Sequence, residues 1–221
     1  MPDSLARYAP LTGVAAAVLF LVGIFTGSEP AKATSTPAQV VHFYAFHRSE
    51  VETTSVLIGI SVVLLLLFTA SLRAYLRRTP EAEGLAPIVL VGAAIIFTAG
   101  LLATALEYTL AHNLLRFTPS TVQALNVVAQ EVFVPILGGV FLIALASFLA
   151  IIVRGAALPR WLGWLALVVA VASAVTPIGF AGFLAFIVWM VIASILMYMR
   201  MDAAVGGGGP AAPAPAPGQA G

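Results

Sequence analysis

Apolar residues in this chain do not alternate with polar ones; they run on in long blocks, broken by short stretches rich in Pro, Gly, Ser, Thr and charge. Six blocks stand out, over about residues 8–27, 53–72, 86–110, 131–153, 161–176 and 180–199. A helix needs roughly 20 mainly apolar residues to cross a bilayer, and in hydrocarbon its backbone groups must be paired within the segment. Barrel strands alternate in polarity, so unbroken runs exclude a membrane barrel. The pattern therefore predicts an all-α, polytopic transmembrane bundle of six spans over residues 1–202. From residue 203 to 221 the chain is a Gly/Ala/Pro tail with too little apolar surface to offset the entropy of ordering, and it is expected to be disordered.

The breaks carry their own signals. Thr36-Pro37 and Thr118-Pro119 each put a capping hydroxyl ahead of a proline that has no N–H to lose, which predicts helix starts. After Thr36 come Val40, Val41, Phe43, Tyr44 and Phe46 among His42, His47, Arg48, Glu50 and Glu52. We read this as an interfacial turn or two leading directly into the second span, its aromatic cluster at headgroup depth. The stretch 121–130 is mixed in polarity and precedes the fourth span. Pro135 and the break Thr176-Pro177-Ile178-Gly179 are candidates to kink or end helices. An alternative for the first block is a cleaved secretory signal, since Ala31-Lys32-Ala33 resembles a small-x-small cleavage site; its spanning length and thin basic start favour a retained span.

Composition agrees with the pattern. Residues are 61% hydrophobic and only 9% charged, against about a quarter charged in a soluble domain, so lipid is the expected solvent and the bilayer the expected partner. A net charge of +1 with no Lys/Arg run offers nothing to nucleic acid. The absence of cysteine excludes disulfides, thiolate catalysis and Cys-ligated metal sites. Arg7, Arg73, Arg77, Arg78, Arg154, Arg160 and Arg200 fall on one side of the alternating loops, against Lys32, Arg48 and Arg116 on the other. Cytoplasmic loops retain basic residues, so both termini are expected inside.

Ionisable groups within a span cost about 2.5–3.5 kcal/mol at its centre on insertion scales, so each is a functional candidate. Glu107 near the end of the third span, Glu131 at the start of the fourth, and His112, His42, His47 and Gln130 gather at one membrane level, opposite the arginines. These six are the candidate ligand-binding residues. Gln123, Asn126 and Gln130 share one helix face. A metal site is disfavoured: His42 and His47, five residues apart, point roughly 140° from each other on a helix, and no zincin signature is present. Haem ligation would need histidines deep in facing spans. No cofactor is expected. The plainer alternative makes these residues solvated helix ends, with Glu107 or Glu131 paired to Arg116 or Arg48. Gly100, Thr104, Gly138, Gly139, Ala144 and Ala146 are the expected sites of close helix approach. Met190, Met197, Met199 and Met201 read as packing residues.

The segment Gln39 to Arg78 (QVVHFYAFHRSEVETTSVLIGISVVLLLLFTASLRAYLRR), together with Leu158 to Ala170 (LPRWLGWLALVVA), resembles actinobacterial multi-pass membrane proteins classed as domain of unknown function 4386. That resemblance implies six spans in a bacterial plasma membrane and carries no activity. From the residues, the expected function is non-enzymatic binding of a lipid, a small ligand or a partner, whether a second copy or another membrane protein. The alternative is a small transporter or membrane enzyme with an outward Glu/His pocket.

Overall fold

Thr36 opens its helix with a capping box: its hydroxyl accepts from the Gln39 N–H at 3.4 Å while the Gln39 side chain accepts from the Thr36 N–H at 2.8 Å, with Pro37 at the first helical position. Thr118 opens another, accepting from the Thr121 N–H at 3.3 Å. In the computed structural model, which describes residues 8–156, 158–175 and 178–206, every regular element is helical. A 3₁₀ turn, Ala9–Leu11, leads into α1 (Thr12–Thr26); then follow α2 (Pro37–Phe46), α3 (Arg48–Leu76), α4 (Ala86–His112), α5 (Pro119–Glu131), α6 (Phe133–Phe148), α7 (Arg160–Ala174) and α8 (Gly179–Gly206). Thr176 and Pro177 of the expected break lie outside the described residues, as do Arg7 and residues 207–221. Helix α8 runs four residues past the expected start of the tail.

Five helical stretches are long and apolar enough to cross a membrane: Ala9–Thr26, Arg48–Leu76, Pro80–His112, Pro119–Val153 and Gly179–Arg200. Helix α7 is apolar but has 15 residues, about 22 Å at 1.5 Å per residue. Six helices close a ring in the order α1, α3, α4, α6, α7, α8, with α8 returning to α1. Their shared core includes Phe68, Leu72, Ile143, Leu162, Phe186 and Trp189, all fully buried. On the outside, Phe25, Val63, Leu67, Val91, Leu102, Trp164, Val168 and Val188 are exposed from several helices, an apolar belt that a bilayer covers and water would not.

Lipid offers helices no hydrophobic reason to associate, so close packing and interhelical hydrogen bonds hold such a ring. Ser61 donates to the Ala16 carbonyl at 2.8 Å, tying α3 to α1, and the Trp189 indole donates to the Leu162 carbonyl at 3.1 Å, tying α8 to α7. Helices α4 and α6 cross at Gly92 and Gly139: a Cβ on Gly139 would stand 2.6 Å from the Gly92 carbonyl oxygen, and one on Gly92 would stand 2.7 Å from that of Gly139. Gly100 packs on Val62 as expected, but Gly138 meets nothing within 4 Å; the partner of Gly139 is Gly92, which small-residue spacing did not single out. Met190 and Met197 are buried, whereas Met199 is 60% exposed.

Two helices lie outside the ring, and α2 corrects the sequence reading. Helix α2 does not flow into the second span as an interfacial turn: it ends at Phe46, and His47, at φ −109° and ψ 23°, separates it from α3. Helix α5, by contrast, runs on into α6 through a single turn residue, Val132, at helical φ −60° and ψ −17°. Pro135 lacks the N–H that would bond the Glu131 carbonyl, four residues back, and the regular ladder is interrupted at Val132 between α5 and α6 within the stretch Pro119–Val153. Helices α2 and α5 pack on each other and over the ends of α3 and α4, around a second small core of Val40, Tyr44, Val51, Leu110, Ala111 and Val122. Tyr44, expected at headgroup depth, is 2% exposed within this cap. The described arginines Arg73, Arg77, Arg78, Arg154, Arg160 and Arg200 belong to the opposite end of the bundle.

Candidate functional site

Helix α1 ends at Gly27, whose extended backbone turns the chain across the top of the bundle while its N–H bonds the Gly23 carbonyl. The crossing loop is held from two sides. Ser28 donates to the Glu50 carboxylate on α3. From α5, Gln123 donates to the Ser35 carbonyl at 2.8 Å, Asn126 to the Ala31 carbonyl at 3.1 Å, and Gln130 to that same Ala31 carbonyl. The shared polar face of α5 is therefore a clamp on the loop, and Gln130, expected at a ligand, is one of its fastenings. Tyr44 on α2 completes the cap by donating to Asn126 Oδ1 at 3.0 Å. Burial, and then the nearby Glu107 carboxylate, pushes the Tyr44 hydroxyl well above the usual tyrosine range, so it remains a donor.

Beneath the loop and beside α2 opens a vestibule of about 420 Å³, a size common for small-molecule sites. Gly23 and Gly27 of α1, Phe43 and Tyr44 of α2, and Thr54 of α3 contribute to its wall, with Glu29 from the loop and Glu107 from α4. A second, smaller cavity of about 130 Å³ lies inside the ring, between α1, α3, α4, α6 and α8. Its wall is mostly apolar, including Phe20, Phe183, Phe186 and Met190, with Ser61 and Thr104 as its hydroxyls. Ile58 and Glu107 line both spaces, so the carboxylate stands where the vestibule meets the interior. It lies five residues before the end of α4, about 8 Å along the helix axis. Among the described residues no hydrogen bond or ion pair reaches it, and no Lys, Arg or His lines either cavity.

The other expected site residues are dispersed. His112 belongs to an exposed cluster: Arg48 Nε donates to Glu52 at 2.9 Å and Arg48 Nη2 to His112 Nδ1 at 3.2 Å, with Glu52 Oε1 3.1 Å from that nitrogen. Arg48 is thus paired with Glu52, four residues on, and not with Glu107 or Glu131 as the plainer reading had it. His112, Arg48 and Arg116 border a separate groove against Tyr44. His42 is exposed and stacks on Phe46, their ring centroids 4.2 Å apart. His47 caps α2, its Nδ1 donating to the Phe43 carbonyl at 3.1 Å while its ring stacks on Phe43. Glu131 is exposed at the end of α5. Neither His42, His47 nor Glu131 lines the vestibule or the inner cavity. Among the described residues no group of three or more His, Asp or Glu is placed to hold a metal ion.

Of the six expected residues, only Glu107 lies at the cavities. Phe43, Tyr44, Thr54 and Glu29 were not named as site residues, and nothing in their local sequence marks them. They meet because the 28–36 loop and α2 fold back over the end of α1. No protein-family model, curated protein or solved structure matches this chain.

Proposed function

We propose that this protein sits in the plasma membrane of a bacterium with its arginine-rich end and both termini in the cytoplasm, and that it binds a small amphipathic ligand from the opposite side. Positive charge retained at the cytoplasmic face supports the orientation. In this reading α7, packed between the longer α6 and α8, is the sixth crossing, and α1 is a retained member of the ring. The observation that carries the binding function is the vestibule continuing past Glu107 into an apolar pocket between helices. Ligand sites in bundles have this form: a mainly apolar wall with a few convergent polar groups. Non-enzymatic binding is preferred because Glu107 has no neighbouring histidine or second buried carboxylate with which to share acid–base work.

A transporter is the second reading, favoured by the inner cavity that already lies beneath the vestibule floor. Native mass spectrometry of protein extracted in mild detergent tests the binding function. A discrete small-molecule adduct is expected on the wild type and is expected to be lost from Thr54→Trp, which fills the vestibule. An adduct pattern indifferent to that substitution would assign the retained mass to surrounding lipid and remove the case for a site.

A further inference from the structure

The chemistry of the vestibule's occupant follows from what its wall contains and lacks. Its charged groups, Glu107 and Glu29, are both acidic. Its aromatic groups, Phe43 and Tyr44, are adjacent in sequence, and their rings pack edge to face with centroids 5.2 Å apart. No basic side chain lines the wall. Glu107 is half-buried, and no described residue bonds or pairs with it. A carboxylate enclosed in this way is costly unless something compensates its charge. Beyond it the space is apolar and aromatic, with Phe20, Phe183 and Phe186.

We propose that the ligand is an organic cation with an apolar body, its positive centre held between Glu107 and the ring of Phe43 and its apolar part directed toward the inner cavity. The inference rests on the binding function proposed above and narrows it. An anion would meet two carboxylates and no compensating base. A hard metal ion takes six to eight oxygen ligands, or near-octahedral oxygen geometry, and the vestibule wall offers two carboxylates and the Ser28 and Thr54 hydroxyls, which already donate to Glu50 and the Gly23 carbonyl. A ring face attracts an ammonium group, and Phe43 is half-buried in the wall. The Glu107 carboxylate, where the two spaces meet, adds direct charge attraction.

Three probes of one shape separate charge from fit: benzyltrimethylammonium, its uncharged carbon isostere neopentylbenzene, and the anion 3-phenylpropionate. Binding is measured by saturation-transfer NMR and calorimetry on the full chain in phosphatidylcholine nanodiscs, with empty discs as the blank. The cation is expected to bind about tenfold tighter than the isostere, and the anion more weakly than either. Glu107→Gln is expected to lose most of the cation's advantage over the isostere while leaving the isostere unchanged. Thr54→Trp is expected to remove both. Equal affinity for cation and isostere in the wild type would overturn the cation assignment even if Glu107→Gln proved not to fold. If Thr54→Trp still abolished binding in that case, the vestibule would stand as a binding site for a neutral ligand. Binding insensitive to Thr54→Trp, or no binding of any probe, would overturn both proposals.

Discussion

The Tyr44 hydroxyl donates to Asn126 Oδ1 at 3.0 Å across 82 residues of sequence, and both side chains are almost completely buried. This bond joins the two helices of the cap, and Asn126 passes the connection on to the loop through Ala31. Removing one partner of a buried hydrogen bond leaves the other unsatisfied, at a cost of about 1–3 kcal/mol. Tyr44→Phe is therefore expected to destabilise the cap by that amount. Hydrogen exchange should rise over residues 28–46 and 119–131 while the ring helices keep their protection. Equal loss of protection throughout would mean that cap and ring unfold as one unit.

The exposed cluster of Arg48, Glu52 and His112 has as many contacts but should matter far less. Water screens such pairs, so they add little to stability. Glu52→Gln is expected to change stability far less than Tyr44→Phe, and the small effect should shrink further as salt is added. A loss comparable to that of Tyr44→Phe would show that the cluster is shielded from solvent.

The α4–α6 crossing makes a sharper contrast between adjacent residues. Gly139→Ala forces a methyl group against the backbone carbonyl of Gly92 and is expected to cost about 1–3 kcal/mol, with loss of folded protein in detergent. Gly138→Ala meets open space on the same helix and is expected to be neutral or to stabilise by up to about 1 kcal/mol. Comparing the two melting temperatures in one detergent checks the crossing directly. Matching temperatures would displace it.

Glu107→Gln should not lower thermal stability, because no described residue loses a hydrogen bond or ion pair. Glu131→Gln should be equally silent, since Glu131 is exposed. A clear drop in the Glu107→Gln melting temperature would reveal a protein partner for the carboxylate and would remove the reason to seek a ligand there.

Orientation and the fate of α1 are checked together. Protease added to sealed inverted membrane vesicles is expected to remove the glycine–proline tail, and protease added to right-side-out vesicles to spare it. Intact mass of the purified protein is expected to include residues 1–33. Without α1, the Ser61 bond to Ala16 is lost and α3 and α8 face an open gap.

The positions of the apolar helices were legible along the chain because hydrophobic length is a local property: any window of about 20 residues reports its own transfer free energy into lipid. The Thr-Pro helix starts at 36–37 and 118–119 were legible for the same reason, since a cap is satisfied within three residues. Glu107 was legible as a candidate because a carboxylate interrupting an apolar run is conspicuous. What surrounds it was not. That Gly139 meets Gly92 and not another glycine, that α2 stands apart from the spans and packs with α5 as a cap, and that Phe43, Tyr44 and Thr54 share a cavity with Glu107 all depend on contacts between distant segments. Tertiary structure alone decided these, because a vestibule is the space left between several packed helices and no single segment encodes its shape. The sequence by itself determined which stretches enter the membrane and which residues are too polar to be there without reason; the closing of the ring and the fold-back of the 28–36 loop determined which of those residues, Glu107 alone, would face a cavity.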